Sequence, residues 1–195
     1  VAIAVISDLH VGSSVGLWPT VATLSGGNSC FANKYQQWLY ACWGHTVREI
    51  QALDKPTVVF LGDLIQGVHA RDKELMDNSL ATQVRVARSL LEPIVRVAER
   101  VYIVRGTPWH EGSSSEAVEE LAHELGGEVD PSTGLNTWWE LYLTFAEQVI
   151  HFRHYISHTS NTQYEATAPL KELNNLLAEM LTNYGDLGVR IIVRS

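Results

Sequence analysis

Two short runs rich in β-branched residues constrain this chain more than anything else in it. Val1-Ala2-Ile3-Ala4-Val5-Ile6-Ser7 leads into Asp8-Leu9-His10, and Thr57-Val58-Val59-Phe60-Leu61 leads into Gly62-Asp63. Neither run alternates apolar with polar residues. Continuous apolar strands belong in the interior of a parallel sheet, covered on both faces. In such sheets ligands bind in the crevice outside the carboxyl ends of the strands, which is where Asp8, His10 and Asp63 would stand.

The rest of the chain reads as strand-helix alternation followed by a hairpin. Residues 11–33 are rich in Gly, Ser, Thr and Asn, show no periodicity and are expected to form a long loop of functional type. Residues 34–53 carry Trp38, Leu39, Cys42, Val47, Ile50 and Leu53 at helical spacing. A longer helical pattern runs over 73–100, with Pro93 expected to kink or divide it. Residues 101–104 read as a third strand feeding a loop over 105–115, and a short helix from Ser115-Glu116 ends near Gly126-Gly127. Strands are expected over 138–145 and 148–156, joined by a tight Ala146-Glu147 turn. A helix over 169–184 and a strand over 189–193 complete the pattern. The expected fold class is α/β, with mixed β-sheet layers covered by helices in a single domain over residues 1–195.

Composition narrows the partners. A formal charge of −8 argues against broad electrostatic binding of nucleic acid, although two divalent ions would make the crevice locally positive. Cys30 and Cys42 are the only cysteines and fit neither a disulfide framework nor a C-x-x-C site. No apolar stretch approaches the ~20 residues of a membrane span, and the first run is unlike a signal peptide. A reducing, cytoplasmic setting without membrane contact is the simplest expectation. The chain does not begin with Met, which leaves room for residues ahead of Val1. Nothing in the sequence separates a dimer from a monomer.

Asp8-x-His10 alone is a weak signal, and its pairing with Gly62-Asp63-x-x-x-Gly67 after a second strand is much more specific. Residues two apart on a strand face the same side, so Asp8 and His10 are expected to grip one ion together. Asp63 has two carboxylate oxygens and can bridge two ions held ~3.5–4 Å apart. Oxygen and imidazole donors together suit manganese first, with iron or zinc as alternatives. The competing reading is that both aspartates only cap the loops that follow them.

With these motifs in place, the chain resembles the calcineurin-like metallophosphoesterases, whose pattern is D-x-H, G-D, G-N-H-[D/E], a lone His and G-H-x-H. The third element here is Gly106-Thr107-Pro108-Trp109-His110-Glu111-Gly112, with two residues inserted and no Asn. The resemblance spans Val1 to Ser195 and implies the family's layered αββα architecture, two divalent metal ions and hydrolysis of a phosphoester. It assigns His110 as the general acid that protonates the departing oxygen, a role suited to an imidazole. Thr107, through its hydroxyl, or Asn78 would stand in for the missing Asn, giving a weaker second site. One of His151, His154 and His158 would be the lone ligand. His154 is chosen because Ile150 and Phe152 lead to it along one face, with His151 and His158 as alternatives. The final G-H-x-H has no counterpart, and the last strand is expected to stop just short of it.

Around this set, Trp109 and Trp18 are candidates for stacking on a base or aryl group, with core packing the alternative for Trp18. Arg105 is a candidate for a phosphate oxygen, a salt bridge being the alternative. His69 is read as a loop histidine within reach of substrate, and His45 and His123 as helix residues. The resemblance favours a phosphodiesterase acting on a phosphoester, either a nucleotide or nucleic acid. A repair-type exonuclease of the same family and a non-catalytic scaffold with a degenerate metal site are the competing readings.

Overall fold

The first apolar run forms β1 (Ile3–Ile6), and the chain then enters a hairpin of β2 (Val21–Thr23) and β3 (Ser29–Phe31) before α1 (Lys34–Gln51) returns it to β4 (Thr57–Leu61). These elements come from a computed structural model, which describes residues 2–68, 74–154, 167–182 and 189–195. The chain continues through α2 (Leu80–Val95), β5 (Arg100–Val104), α3 (Pro108–Glu111), α4 (Glu116–Glu124), β6 (Thr137–Trp138), β7 (Leu141–Phe145), β8 (Gln148–Arg153), α5 (Thr167–Thr182) and β9 (Val189–Arg194). The protein is a mixed α/β structure with a parallel sheet and helices.

A four-stranded parallel sheet in the order β1-β4-β5-β6 is the scaffold of the site. Its side chains alternate between two separate cores. Val58, Phe60, Val101 and Ile103 meet Trp43, Leu91, Ile94 and Leu121 of the helices on one face. Val59, Leu61, Tyr102 and Val104 meet Leu141, Ile150 and Phe152 of the second sheet on the other. This double coverage explains why β4 and β5 are apolar at every position from Val58 to Leu61 and Val101 to Val104. Truncating a fully buried ring such as Phe60 or Phe152 to Ala belongs to the class of change costing about 3–5 kcal/mol.

The second sheet contains β7, β8 and β9, with β7 and β8 antiparallel and β8 and β9 parallel. Ala146 and Glu147 both take positive φ at the β7–β8 turn, as a two-residue hairpin loop of the primed type requires.

The structure departs from the sequence reading in four places. Residues 11–33 are not a structureless loop: three-residue strands too short to show periodicity pair there, with Gly27 in the left-handed region at the tip. The helix expected over 73–100 is confined to α2, because Ser79 accepts a hydrogen bond from Thr82 N and caps it. Leu75 and Met76 instead pair with the early loop, through the bridge to Ser13 and the bond from Met76 N to Gly12 O. Pro93 lies two residues before the helix ends and does not divide it. The strand expected over 138–145 is two strands in different sheets, the chain passing from β6 to β7 through Trp139 and Glu140. Pro108–Glu111 forms a single helical turn, with Pro108 in the first helical position where its missing N–H costs nothing.

Candidate metal centre

Asp8, His10 and Asp63 come together through left-handed backbone beyond the strand ends. Asp8 has φ 56°, His10 φ 44° and Asp63 φ 50°, a region that L-residues other than Asn and Asp rarely enter. Such strain costs on the order of 1 kcal/mol per residue and persists only where the surroundings enforce it. Here the two loops continue to pair after their strands end: Asp8 N donates to Gly62 O at 3.1 Å and His10 N to Asp63 O at 3.0 Å.

Asp63 is at the centre of the cluster. It is buried, and Oδ2 lies 3.1 Å from His154 Nε2 and 3.9 Å from His110 Nε2. Thr107 N donates to Oδ1 at 2.7 Å, and the Thr107 hydroxyl lies 3.2 Å from each carboxylate oxygen. Donor atoms of two triads converge, His10-Asp63-His110 and Asp8-Asp63-His154, each set lying within 4.8 Å of one another. The strand alternation expected to join Asp8 to His10 does not operate, since β1 ends at Ile6, yet His10 Nε2 still lies 3.7 Å from Asp8 Oδ1. The two residues fall in different triads, with Asp63 common to both.

Backbone carbonyls orient the imidazoles. His154 Nδ1 donates to Leu61 O at 2.7 Å and His110 Nδ1 bonds Gln66 O at 3.0 Å, so each ring turns Nε2 toward Asp63. Burial works against a charge on His154, but the hydrogen bond to Asp63 and that carboxylate's charge outweigh it and raise the imidazole above its ordinary value. Burial likewise opposes ionisation of Asp63, and the bonds from His154 and Thr107 overcome it and hold the carboxylate below its usual range. His10 is pushed down by burial and by His110 nearby.

The donor set fits a divalent cation by one further sign. Among the described residues His10 Nδ1 is buried without a hydrogen-bond partner, a state that costs roughly 1–3 kcal/mol unless another electron-pair acceptor occupies it. Mixed carboxylate and imidazole donors are those of manganese, iron and zinc sites.

Glu111 is the group whose role the sequence did not disclose. Its Oε1 accepts from Asp63 N at 3.2 Å, and its Oε2 is buried without a partner among the described residues. Burial first, and then the charge of Asp63, push its carboxyl up to about 7. Gly62 and Gly106 allow the close packing: a Cβ on Gly62 would overlap the His154 ring and sit 2.7 Å from Gly106 Cα, and one on Gly106 would overlap Asp63.

The remaining candidates scatter. His151 is buried elsewhere, stacked on Tyr142 at 4.3 Å, with its Nδ1 3.0 Å from Arg194. His158 and His69 lie outside the described residues. Thr107 holds Asp63 by hydrogen bonds, and Asn78 lines neither cavity beside the cluster. Trp18 is fully buried in the helical core, so packing is its role and stacking is not. His45 and His123 stand on exposed faces of α1 and α4. Ser195, after β9, meets Ser7 and Asp8 through its hydroxyl.

Two cavities flank the cluster, with His110 on the wall of both. One, of about 470 Å³, is lined by Asp8, His10, Leu17, Leu39, Trp43 and Glu74 among others. The second, of about 690 Å³, opens between Asp63, His154, Arg105, Trp109, Trp139 and Arg153. Trp139 and Arg153 carried no sequence signal of their own. They reach the cavity because the chain changes sheets at Trp139 and because β8 ends beside β4. No helix among the described residues is long and apolar enough to cross a membrane. The chain matches no protein-family model and no curated protein sequence at a significant level.

Proposed function

We propose that this chain is a metal-dependent phosphoester hydrolase of the phosphodiesterase type, with the architecture of the metallophosphoesterases it resembles. The observation that carries the reading is the position of Asp63, one buried carboxylate shared by two donor triads. An isolated aspartate that only capped a loop would have no use for three imidazoles around it.

In this reading Asp8, His10, Asp63 and His154 would hold two divalent ions, manganese first and iron or zinc as alternatives. When bound, the ions supply an acidified water and offset charge on the phosphoryl oxygens. The chain's own residues do the rest. Leu61 O and Gln66 O fix the imidazole rings, Thr107 fixes the carboxylate of Asp63, and Glu111 braces the turn at Asp63 N. His110, on the wall of both cavities, delivers a proton from Nε2 to the departing oxygen.

The test is hydrolysis of bis(p-nitrophenyl) phosphate by the metal-loaded protein and by Asp63→Asn. Turnover that requires Mn²⁺, Fe²⁺ or Zn²⁺ and disappears in the variant supports the proposal. Failure to hydrolyse any phosphoester with any of these ions overturns it in favour of a scaffold, the reading motivated by the missing Asn and G-H-x-H.

A further inference from the structure

We infer that the cavity walled by Arg105, Trp109, Trp139 and His154 is a subsite for a single nucleotide unit, the base lying against the indoles and phosphate oxygens on Arg105. The inference rests on the hydrolase reading for its purpose, and on the following observations for its chemistry.

Arg105 is more than nine-tenths buried and lines this cavity, yet among the described residues no carboxylate pairs with it. Its Nε donates to Thr137 Oγ1 at 2.9 Å, and its guanidinium lies 4.7 Å from the centroid of the Trp139 ring. A buried guanidinium without a counter-ion is costly, and the remaining N–H groups form a fork suited to phosphate oxygens. Arg105 thus presents a cation to this cavity beside the candidate metal centre.

The same cavity exposes two large aromatic rings. Trp109 is 66% exposed and Trp139 52% exposed, although both border a buried site. The Arg105 guanidinium covers one face of Trp139, so a base would have to meet the rest of that ring or Trp109. A volume of about 690 Å³ suits a ligand of nucleotide size. Arg153 adds a second cation at the rim, held by Glu140 at 3.0 Å.

The neighbouring cavity supplies the contrast. Among the described residues it is lined by the carboxylates Asp8 and Glu74 and by no Arg or Lys. The charge of −8 over the whole chain disfavours a long polyanion and favours one nucleotide unit.

The experiment is calorimetric titration of the full chain, with chelator present, by thymidine 5′-monophosphate, deoxyribose 5-phosphate, thymidine and a short oligothymidylate. The nucleotide is expected to bind at least about tenfold tighter than deoxyribose 5-phosphate, the scale of one stacked base. It should also bind at least about tenfold tighter than thymidine. Trp139→Ala, a change at a half-exposed position, should erase the first advantage, and Arg105→Gln the second while thymidine binding persists. Oligothymidylate binding no tighter than the monophosphate assigns free nucleotides, and tighter binding assigns a strand end. Equal affinity for nucleotide and sugar phosphate, or an advantage unchanged in Trp139→Ala and Trp109→Ala, overturns the inference. Because no metal is present, this result is independent of turnover: binding without hydrolysis would remove the hydrolase reading alone, and hydrolysis without base preference would remove the subsite alone.

Discussion

The Nε2 of His154 stands 3.1 Å from the Oδ2 of Asp63 while its Nδ1 donates to Leu61 O, so both ring nitrogens face oxygen acceptors, an arrangement that favours imidazolium beside carboxylate in the metal-free protein. A ligand imidazole must be neutral at the coordinating nitrogen. Metal entry therefore competes with a proton at His154.

That competition has a sign. The folded-state pKa of His154 is raised, so its stabilisation of the metal-free protein is full below the ordinary histidine value and is lost as pH rises through the folded value. Metal affinity moves the other way and grows over the same window. In thermal melts the increment produced by Mn²⁺ should increase from about pH 5.5 to about pH 8, and calorimetry in buffers of different ionisation enthalpy should detect proton release. A Mn²⁺ increment that does not change with pH would contradict the ion pair.

Shared ligation by Asp63 predicts unequal losses. The wild-type protein should bind two Mn²⁺, His10→Asn and His154→Asn one each, and Asp63→Asn none, as measured by equilibrium dialysis with metal analysis. Retention of both ions by Asp63→Asn would mean that the triads are independent.

His110 belongs geometrically to one triad, and the proposed function assigns it proton delivery. As a general acid its loss in His110→Gln should lower kcat by about 10²–10⁴ for esters with alkyl leaving groups and much less for p-nitrophenolate, which departs without a proton. Equal losses on both substrates, accompanied by loss of one bound Mn²⁺, would make it a ligand instead.

Glu111 should make the metal-free protein sensitive to alkali. Its folded pKa of about 7 exceeds the ordinary value of 4.5, so its contribution is complete below the ordinary value and is lost as pH rises through about 7. Glu111→Gln keeps an acceptor for Asp63 N and cannot ionise. In chelator its stability should exceed that of the wild type by up to about 3 kcal/mol at alkaline pH, and the gap should close in acid, as read from denaturant midpoints. Parallel curves for the two proteins would refute the shift.

Gly62 and Gly126 share left-handed backbone at φ 74° and 68°, but only Gly62 faces a crowded space. Gly126→Ala should therefore cost about 1–2 kcal/mol, the conformational term alone. Gly62→Ala should cost more and also weaken Mn²⁺ binding, because the added methyl displaces the His154 ring. Equal melting shifts with Mn²⁺ binding intact in both variants would show that the ring has room to move.

The strand runs before Asp8 and Gly62-Asp63 were legible because a fully covered parallel strand needs apolar residues at every position, and such a run leaves a mark in one dimension. The α1 helix and the β7–β8 turn were legible for similar local reasons. The hairpin at Val21–Phe31 was not, since three-residue strands leave no period to read.

Which residues meet was another matter. Asp8 and His10 do come within 3.7 Å of each other, but left-handed backbone after the strand, and not strand alternation, sets their positions. The apolar alternation through Ile150 and Phe152 reads directly from the sequence, but only sheet packing brings His154 under Leu61 and Asp63 and turns His151 toward Tyr142 and Arg194. Trp139 and Arg153 carried no local signal at all, and Glu111, though part of the third motif, carried none for its packing against Asp63 N. By itself the sequence determined the apolar strands and the chemistry at their ends, because burial and side-chain type are local properties. The shared carboxylate, and an Arg105 that no carboxylate among the described residues pairs with, were decided by tertiary structure, because they depend on distances between segments remote in sequence.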